Sequence, residues 1–367
     1  MTYLPTILET THLGAVADAM FRPCPTDGVV PEGFFGTSNL PTYVKHHGTW
    51  RMPMRPRMDG VIRANGDALE TIEPRRVKAG DLVAVGIAED GTEGIYVDGS
   101  AIAEPVAWGS AFRFMSSSVS RERPVDYEGL AAQLIAERDA GGFVVWVPGP
   151  AVVHSRARAD MMWFIEQGFV GAMLTGNAVA THDIEASMFG TTLGMSDHGK
   201  PVGQGHSHHL RAINRVRAAG SIEKAVESGL IRDGIMASLV RKKVPYVLAG
   251  SIRDDGPLPG VLTDAVAAQD AMREVTIKAT GALFIATALH AIAVGNLLPA
   301  FYLKDKRPAP IFTICVDQTE FLVSKLKDRG THHAYGVVTN AQDFMSVLRR
   351  TIELALEKRE HDEGEIA

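Results

Sequence analysis

From about residue 126 onward, short and wholly apolar runs alternate with amphipathic helical stretches, and this alternation restricts the fold more than any other feature. The apolar runs are FVVWVPG (143–149), FVGAMLTG (169–176), VPYVLAGS (244–251), ALFIATA (282–288), IFTICVD (311–317) and YGVVTN (335–340). Between them lie helix-patterned segments such as YEGLAAQLIAERDAGG (127–142), ARADMMWFIEQG (157–168), NAVATHDIEASMFG (177–190) and TDAVAAQDAMREVTIKA (263–279). HHLRAINRVRAAG (208–220) and SIEKAVESGLIRDGIMASLVRKK (221–243) continue the helical series. A strand apolar on both faces must be covered on both faces, so strands of this kind separated by helices specify a mostly parallel sheet with helices on each side. The expectation is an α/β fold: a Rossmann-like domain over 121–367 and a smaller β-rich, barrel-like domain over 1–120. The first domain is expected from its Gly- and Pro-rich texture and its short β-prone runs, such as MDGVIRA and DLVAVGIAEDGTEGIYVDG.

Charge and cysteine content exclude several classes. The net charge of −6 offers no general attraction to nucleic acid or to an acidic membrane surface. A local basic stretch, Lys45 to Arg57, reads as a solvated rim or as the rim of an anion site. The two cysteines, Cys24 and Cys315, have no metal-type spacing, and a disulfide framework is not expected, which favours a reducing cytoplasm. The N-terminus lacks the pattern of a signal peptide, and no run approaches the roughly 18 apolar residues of a membrane span. His182, His198, His206, His208 and His209 invite a zinc reading, but the adjacent pair 208 and 209 would diverge by about 100° on a helix. A polar wall or a helix start is favoured, and no metal is expected.

In an open parallel sheet, ligands bind beyond the carboxyl ends of the strands. That rule selects Asn177 and Ala178, the segment Ser251 to Gly256, Thr287, Leu289 and His290, Asp317, and the end of the last strand. Asp317 can accept the two hydroxyls of a nucleotide ribose, favouring NAD over NADP, or can cap the helical DQTEFLVSKL that follows. The G-x-G-x-x-G fingerprint is absent, and Pro148-Gly149-Pro150 supplies one glycine where three are usual. Asp183, Glu185 and Asp254 are acids that a half-buried cleft could turn into proton acceptors, whereas Arg253 and Asp254 could equally form a structural turn.

The strings TGNAVATHDIEASMFGTTLG (175–194), GHSHHLRAIN (205–214), SLVRKKVPYVLAGSIRDDGPLPGVLTDAVAAQDAMR (238–273), ATALHAIAVGNLLP (286–299) and ICVD (314–317) resemble the archaeal-type ornithine cyclodeaminase family, which carries a LOR/SDH-like domain. GFFGTSNLPTYVKHHGTW with RPRMDGVI is similar to the family's β-rich part. The resemblance covers about residues 33 to 350. It implies an NAD domain without the glycine fingerprint, with cofactor contacts on Asn177, Ala178, Asp255, Thr287, Leu289, His290, Ala291, Ile292, Asp317, Val337 and Val338. It further implies an ammonia-lyase that converts L-ornithine or a related basic amino acid to proline or a cyclic imino acid, with transient hydride transfer to bound NAD. Asp183 and Asp254 are the candidate proton acceptors, Arg57 and Arg253 the candidate carboxylate partners, and Asp59 a partner for a distal ammonium. Two departures stand out: Lys304 to Pro310 reads as an insertion, and Arg156 and Arg158 stand where the family has glycines. Alternatives are a net amino-acid dehydrogenase or imine reductase, and an NAD-sensing module without turnover. A small-molecule substrate and a homo-oligomer are expected; nucleic-acid and membrane partners are not.

Overall fold

A computed structural model describes residue 8 and residues 12–100, 125–196, 198–254, 256–319 and 334–366. The chain divides into two compact units, one of Met1–Val106, Asn296–Ile311 and Gly330–His333, the other of Ala107–Gly295, Phe312–Arg329 and Ala334–Ala367.

Unit 1 is built from short antiparallel strands: β1 (Met20–Pro23), β2 (Thr42–His46), β3 (Thr49–Arg51), β4 (Val61–Asn65), β5 (Ala68–Ile72), β6 (Leu82–Val85) and β7 (Ile95–Val97). They pair into one sheet of order β1-β6-β4-β5 and another of order β3-β2-β7. Phe35, Val44, Ile62, Leu69, Ala84 and Ile95 form a core within this unit. The segment expected as an insertion is a hairpin, β14 (Phe301–Lys304) against β15 (Arg307–Pro310). Its two-residue turn, Asp305 and Lys306, has φ of 50° and 68°, the mirror-image geometry that matches strand twist. Residues 296–311 belong to unit 1, whereas the sequence assigns them to the second domain.

Unit 2 carries the mostly apolar strands. Its six-stranded sheet contains β8 (Val144–Pro148), β9 (Ala172–Gly176), β12 (Tyr246–Ala249), β13 (Gly281–Ile285), β16 (Phe312–Asp317) and β17 (Ala334–Val338). A two-stranded hairpin, β10 (Thr191–Thr192) with β11 (Met195–Ser196), stands apart from it. All five ladders of the large sheet are parallel. Its order, β12-β9-β8-β13-β16-β17, is 3-2-1-4-5-6 in chain order, the Rossmann arrangement. Every residue of β8, β9 and β13 is buried, as strands covered on both faces require.

The helices of this unit are α1 (Tyr127–Asp139), α2 (Ala151–His154), α3 (Arg158–Glu166), α4 (Asn177–Phe189), α5 (His208–Ala219), α6 (Ile222–Glu227), α7 (Ile235–Lys242), α8 (Ala265–Thr276), α9 (Ala288–Leu297) and α10 (Ala341–Ile366). Their starts follow local chemistry. Asp126 caps α1 by accepting the Gly129 N–H at 2.9 Å, Asp264 caps α8 through Ala267 at 2.7 Å, and Ser221 caps α6 through Lys224 at 3.2 Å. Gly190 ends α4 with φ of 65°. Trp146, Phe164, Met173, Leu283, Val316 and Phe344 lie in one continuous core, and the Trp146 indole donates to the Phe169 carbonyl at 3.1 Å. No described helix is long and apolar enough to cross a membrane.

The close approach of Gly149 to Ala286 is testable. A Cβ on Gly149 would fall 2.0 Å from the Ala286 carbonyl oxygen, whereas one on Gly203 would meet nothing within 4 Å. Gly149→Ala is expected to lower stability by about 1–3 kcal/mol through overpacking. Gly203→Ala should leave the urea midpoint unchanged; equal midpoints for both variants would refute the close approach.

Candidate functional site

The strand order reverses between β8 and β13, and a crevice at the carboxyl edge of such a reversal is where ligands bind in this fold. Backbone hydrogen bonds tie the edge together. Gly149 N donates to Ile285 O at 2.8 Å, Ala286 N to Val316 O at 2.8 Å, and Thr339 N to Asp317 O at 3.0 Å. Across the reversal, Gly149 lies directly against Ala286 and Thr287. One glycine is enough in this first turn because the neighbour it must accommodate is a backbone carbonyl. Ala286 itself holds a left-handed φ of 51°, a strained conformation for a residue with a side chain.

The residues selected from the sequence fall along this edge. Asn177 and Ala178 open α4 at the end of the second strand, Thr287 and 289–292 follow the fourth, Asp317 ends the fifth, and Val337 and Val338 end the sixth. The His290 ring lies over Gly176, where an added Cβ would come within 2.7 Å of Cε1. Burial lowers the His290 pKa, and the nearby Asp254 charge opposes that shift. Asn177 is buried, and its side-chain oxygen accepts from Leu258 N at 3.0 Å and from the Thr181 hydroxyl at 3.3 Å. Ala291 and Val337 are buried, which leaves Val337 only its backbone to offer; Leu289 and Val338 are exposed. Asp317 Oδ1 accepts from Thr319 N at 2.9 Å and from its hydroxyl at 2.8 Å. Asp255 and the helix expected after Asp317 lie outside the described residues.

Several expectations need correction. Asp183 is fully buried: its carboxylate accepts from Arg158 Nε at 2.7 Å, Ile235 N at 2.9 Å and Met236 N at 2.8 Å. Burial raises its pKa, opposed chiefly by the Arg158 charge. It caps α7, and both of its carboxylate oxygens accept from protein donors. Arg158, expected beside a ligand, is the partner of Asp183 and also of Asp233, at 2.6 Å. Arg57, expected to hold a carboxylate, is buried in unit 1 with its guanidinium on Glu73. Asp59 is exposed, with φ of 58°. Asp254 and Arg253 sit in the turn after β12, where Asp254 accepts from Ser251 N at 2.8 Å. Both belong to the loop that follows the third strand, and the Asp254 charge acts on His290, which follows the fourth.

A polar cluster that motif spacing misses runs between helices instead. His182 Nδ1 lies 3.0 Å from Glu185 Oε2, and Glu185 accepts from the Thr191 hydroxyl at 2.9 Å, Leu193 N at 3.1 Å and Gly194 N at 2.9 Å. Thr191 in turn meets His208 Nδ1 at 2.9 Å, and the His208 ring stacks on Phe189. His154 packs on His182 with ring centroids 4.7 Å apart. Burial pushes the His154 imidazole down to about 4, helped by His182. The sequence singled out His182, His208 and Glu185 of this cluster one by one, but not their connection to one another through Thr191.

Residues 128–348 match the family described as arginine dihydrolase ArgZ-like, C-terminal, Rossmann fold, and residues 41–128 match its first region. The chain belongs to the ArgZ-like C-terminal family. Among relatives of this ArgZ-like chain, an ornithine cyclodeaminase from Methanopyrus kandleri is 42% identical over 351 residues, covering 93% of this chain and 81% of the relative. The crystal structure of a LOR/SDH protein from Methanococcus maripaludis superposes with a TM-score of 0.83 at 39% identity, covering 93% of this chain and 99% of that one. AgrE, the bifunctional arginine dihydrolase/ornithine cyclodeaminase of Nostoc, has been solved as a ternary complex with ornithine and NAD+. It gives a TM-score of 0.59 at 36% identity over 94% of this chain and 47% of AgrE, so the ArgZ-like chain spans about half of that protein.

Two substitutions probe the buried acids. Asp183→Ala leaves Arg158 and two helix amides without their acceptor and is expected to cost about 3–5 kcal/mol in chemical denaturation. For Glu185, burial alone would raise the pKa, but the bonds from His182, Gly194 N and Thr191 outweigh it and the value is lowered. A folded pKa below the unfolded value of about 4.3 gives stability that is present above that pH and lost as pH falls through the folded value. Glu185→Gln should therefore flatten the acid limb of a stability-versus-pH curve below about pH 4.3; an unchanged limb would remove Glu185 from the account.

Proposed function

We propose that this chain is an NAD-dependent ornithine cyclodeaminase, converting L-ornithine to proline and ammonia. The observation that carries the reading is the near full-length match, at 42% identity, to the Methanopyrus kandleri enzyme of that name. The AgrE complex with ornithine and NAD+ supports the same cofactor and substrate. The carboxyl edge of the sheet fits a dinucleotide by its own chemistry. It combines a carboxylate at Asp317, a buried hydroxyl at Thr287, and the exposed apolar side chains of Ile252, Leu289 and Val338, which a large planar ligand would cover.

In this reading Asn177, Ala178, Asp255, Thr287 and residues 289–292 hold the dinucleotide, with Asp317, Val337 and Val338 beside its second ribose. When bound, NAD supplies a reversible hydride acceptor, so the amine-bearing carbon is oxidised and later reduced with no net redox change. In a 3-2-1-4-5-6 sheet the second and third strands lie beside the adenosine half. Asp254, anchored by Ser251 on the third strand, thus serves better as a hydroxyl acceptor than as a base. Asp317, on the opposite side of the reversal, lies on the half where the reacting ring belongs.

Incubation with L-ornithine and a catalytic amount of NAD+ should release proline and ammonia in equal amounts without accumulation of NADH. NADH produced in step with substrate loss, without proline, would point to a net dehydrogenase, and NAD binding with no ammonia from any basic amino acid would point to a sensor. Asp317→Ala should weaken NAD binding by about 1–3 kcal/mol, the scale of losing a charged hydrogen-bond partner.

A further inference from the structure

A dinucleotide brings the charge of its pyrophosphate to the carboxyl edge of the large sheet, and that edge is poor in cations. No lysine or arginine occurs in residues 149–153, 176–181, 286–293, 317–319 or 337–341, the segments that follow five of the six strands. Arg253 is exposed in the loop after β12, the outermost strand. The glycine-rich turn that usually takes the phosphates is also missing, and Gly149 is committed to its contact with the Ala286 carbonyl.

One group in those five segments can acquire a positive charge. His290 is the third residue of α9, after the fourth strand, and its ring lies over Gly176, the last residue of the second. A Cβ on Gly176 would fall 2.7 Å from Cε1 and 3.2 Å from Nε2. The first strand, β8, stands between those two in the sheet, so the ring sits beside the reversal of strand order. It makes no hydrogen bond among the described residues. The start of α4, on which the ring packs, offers Gly176, Asn177 and Ala178, none of them charged. The charge that acts on it is the Asp254 carboxylate, itself held by Ser251 N at 2.8 Å.

Two further features of this spot favour an anion. Helices α4 and α9 both begin here, and neither has an acidic residue in its first turn, so the partial positive charge of their free amides is not offset. Thr287, 8% exposed, stands just ahead of α9 and beside Gly149. Its hydroxyl makes no hydrogen bond among the described residues, although a threonine at that position commonly caps the helix that follows. The oxygen is left for a ligand.

Resting on the cofactor reading above, we infer that His290 and Thr287 hold the pyrophosphate of NAD, and that the imidazole takes up a proton from solvent as the dinucleotide binds. The turn after the fourth strand thereby does what the glycine-rich turn after the first does elsewhere. In the free protein, burial lowers the His290 pKa below its ordinary value, so the ring is neutral at about pH 7. A pyrophosphate beside the ring favours the charged form and raises that pKa. Between the free and bound values binding consumes a proton, and affinity rises as the pH falls.

Calorimetric titration of the full chain with NAD, ADP-ribose and adenosine, in buffers of different ionisation enthalpy, tests the inference. At about pH 7, NAD and ADP-ribose should each take up part of a proton, and adenosine, which lacks phosphate, none. NAD should bind about ten-fold more tightly at pH 6 than at pH 8. His290→Gln should abolish the uptake and flatten the pH dependence. Thr287→Val should weaken NAD binding yet keep the uptake, as should Asp317→Ala. NAD binding without proton uptake, uptake that persists in His290→Gln, or uptake with adenosine would each overturn the inference and leave the cofactor reading standing. Failure of NAD to bind at any pH would overturn both.

Discussion

The large sheet is organised around one backbone-to-backbone contact, in which Gly149 after the first strand presses against the carbonyl of Ala286 after the fourth. Any side chain at 149 would force β8 and β13 apart where the strand order reverses. The contact accounts for a glycine set between two prolines, and it accompanies the left-handed φ of Ala286. It also accounts for the missing glycine fingerprint. The usual first turn has three glycines that make room for a pyrophosphate, whereas here the single glycine of that turn meets the Ala286 carbonyl.

The α/β architecture was legible because burial on both faces leaves its mark residue by residue. VVWV, AMLT and ALFI carry no polar side chain larger than threonine, and a chain can place such runs only between two layers of helix. The hairpin at Phe301–Pro310 was not legible in this way. Its turn uses Asp305 and Lys306 in a geometry normally signalled by Asn-Gly, and its assignment to unit 1 depends on contacts made far away in sequence.

Charged residues were harder to read than apolar ones. Asp183 and Arg57 look reactive in a sequence because acids and bases near apolar runs are expected at active sites. In the fold, Asp183 serves the amides of Ile235 and Met236, some fifty residues downstream, and Arg57 serves Glu73. Neither partner carries a local signature, since a helix start satisfied from another helix looks uncapped. The strand-end residues were legible because their position depends only on where an apolar run stops. The connection between His154, His182, Glu185 and Thr191 was not, because these residues come from three separate segments.

Helix α4 is buried around nearly its whole circumference from Asn177 to Glu185, and three of its polar side chains accept from three separate segments: Asn177 from Leu258 N, Asp183 from Ile235 N and Met236 N, and Glu185 from Leu193 N and Gly194 N. Adding or removing one residue would turn everything beyond it by about 100° and drive the carboxylates into the apolar core. The length of this helix is therefore fixed by its wiring, and variation in chain length in its vicinity must be absorbed by the loops on either side.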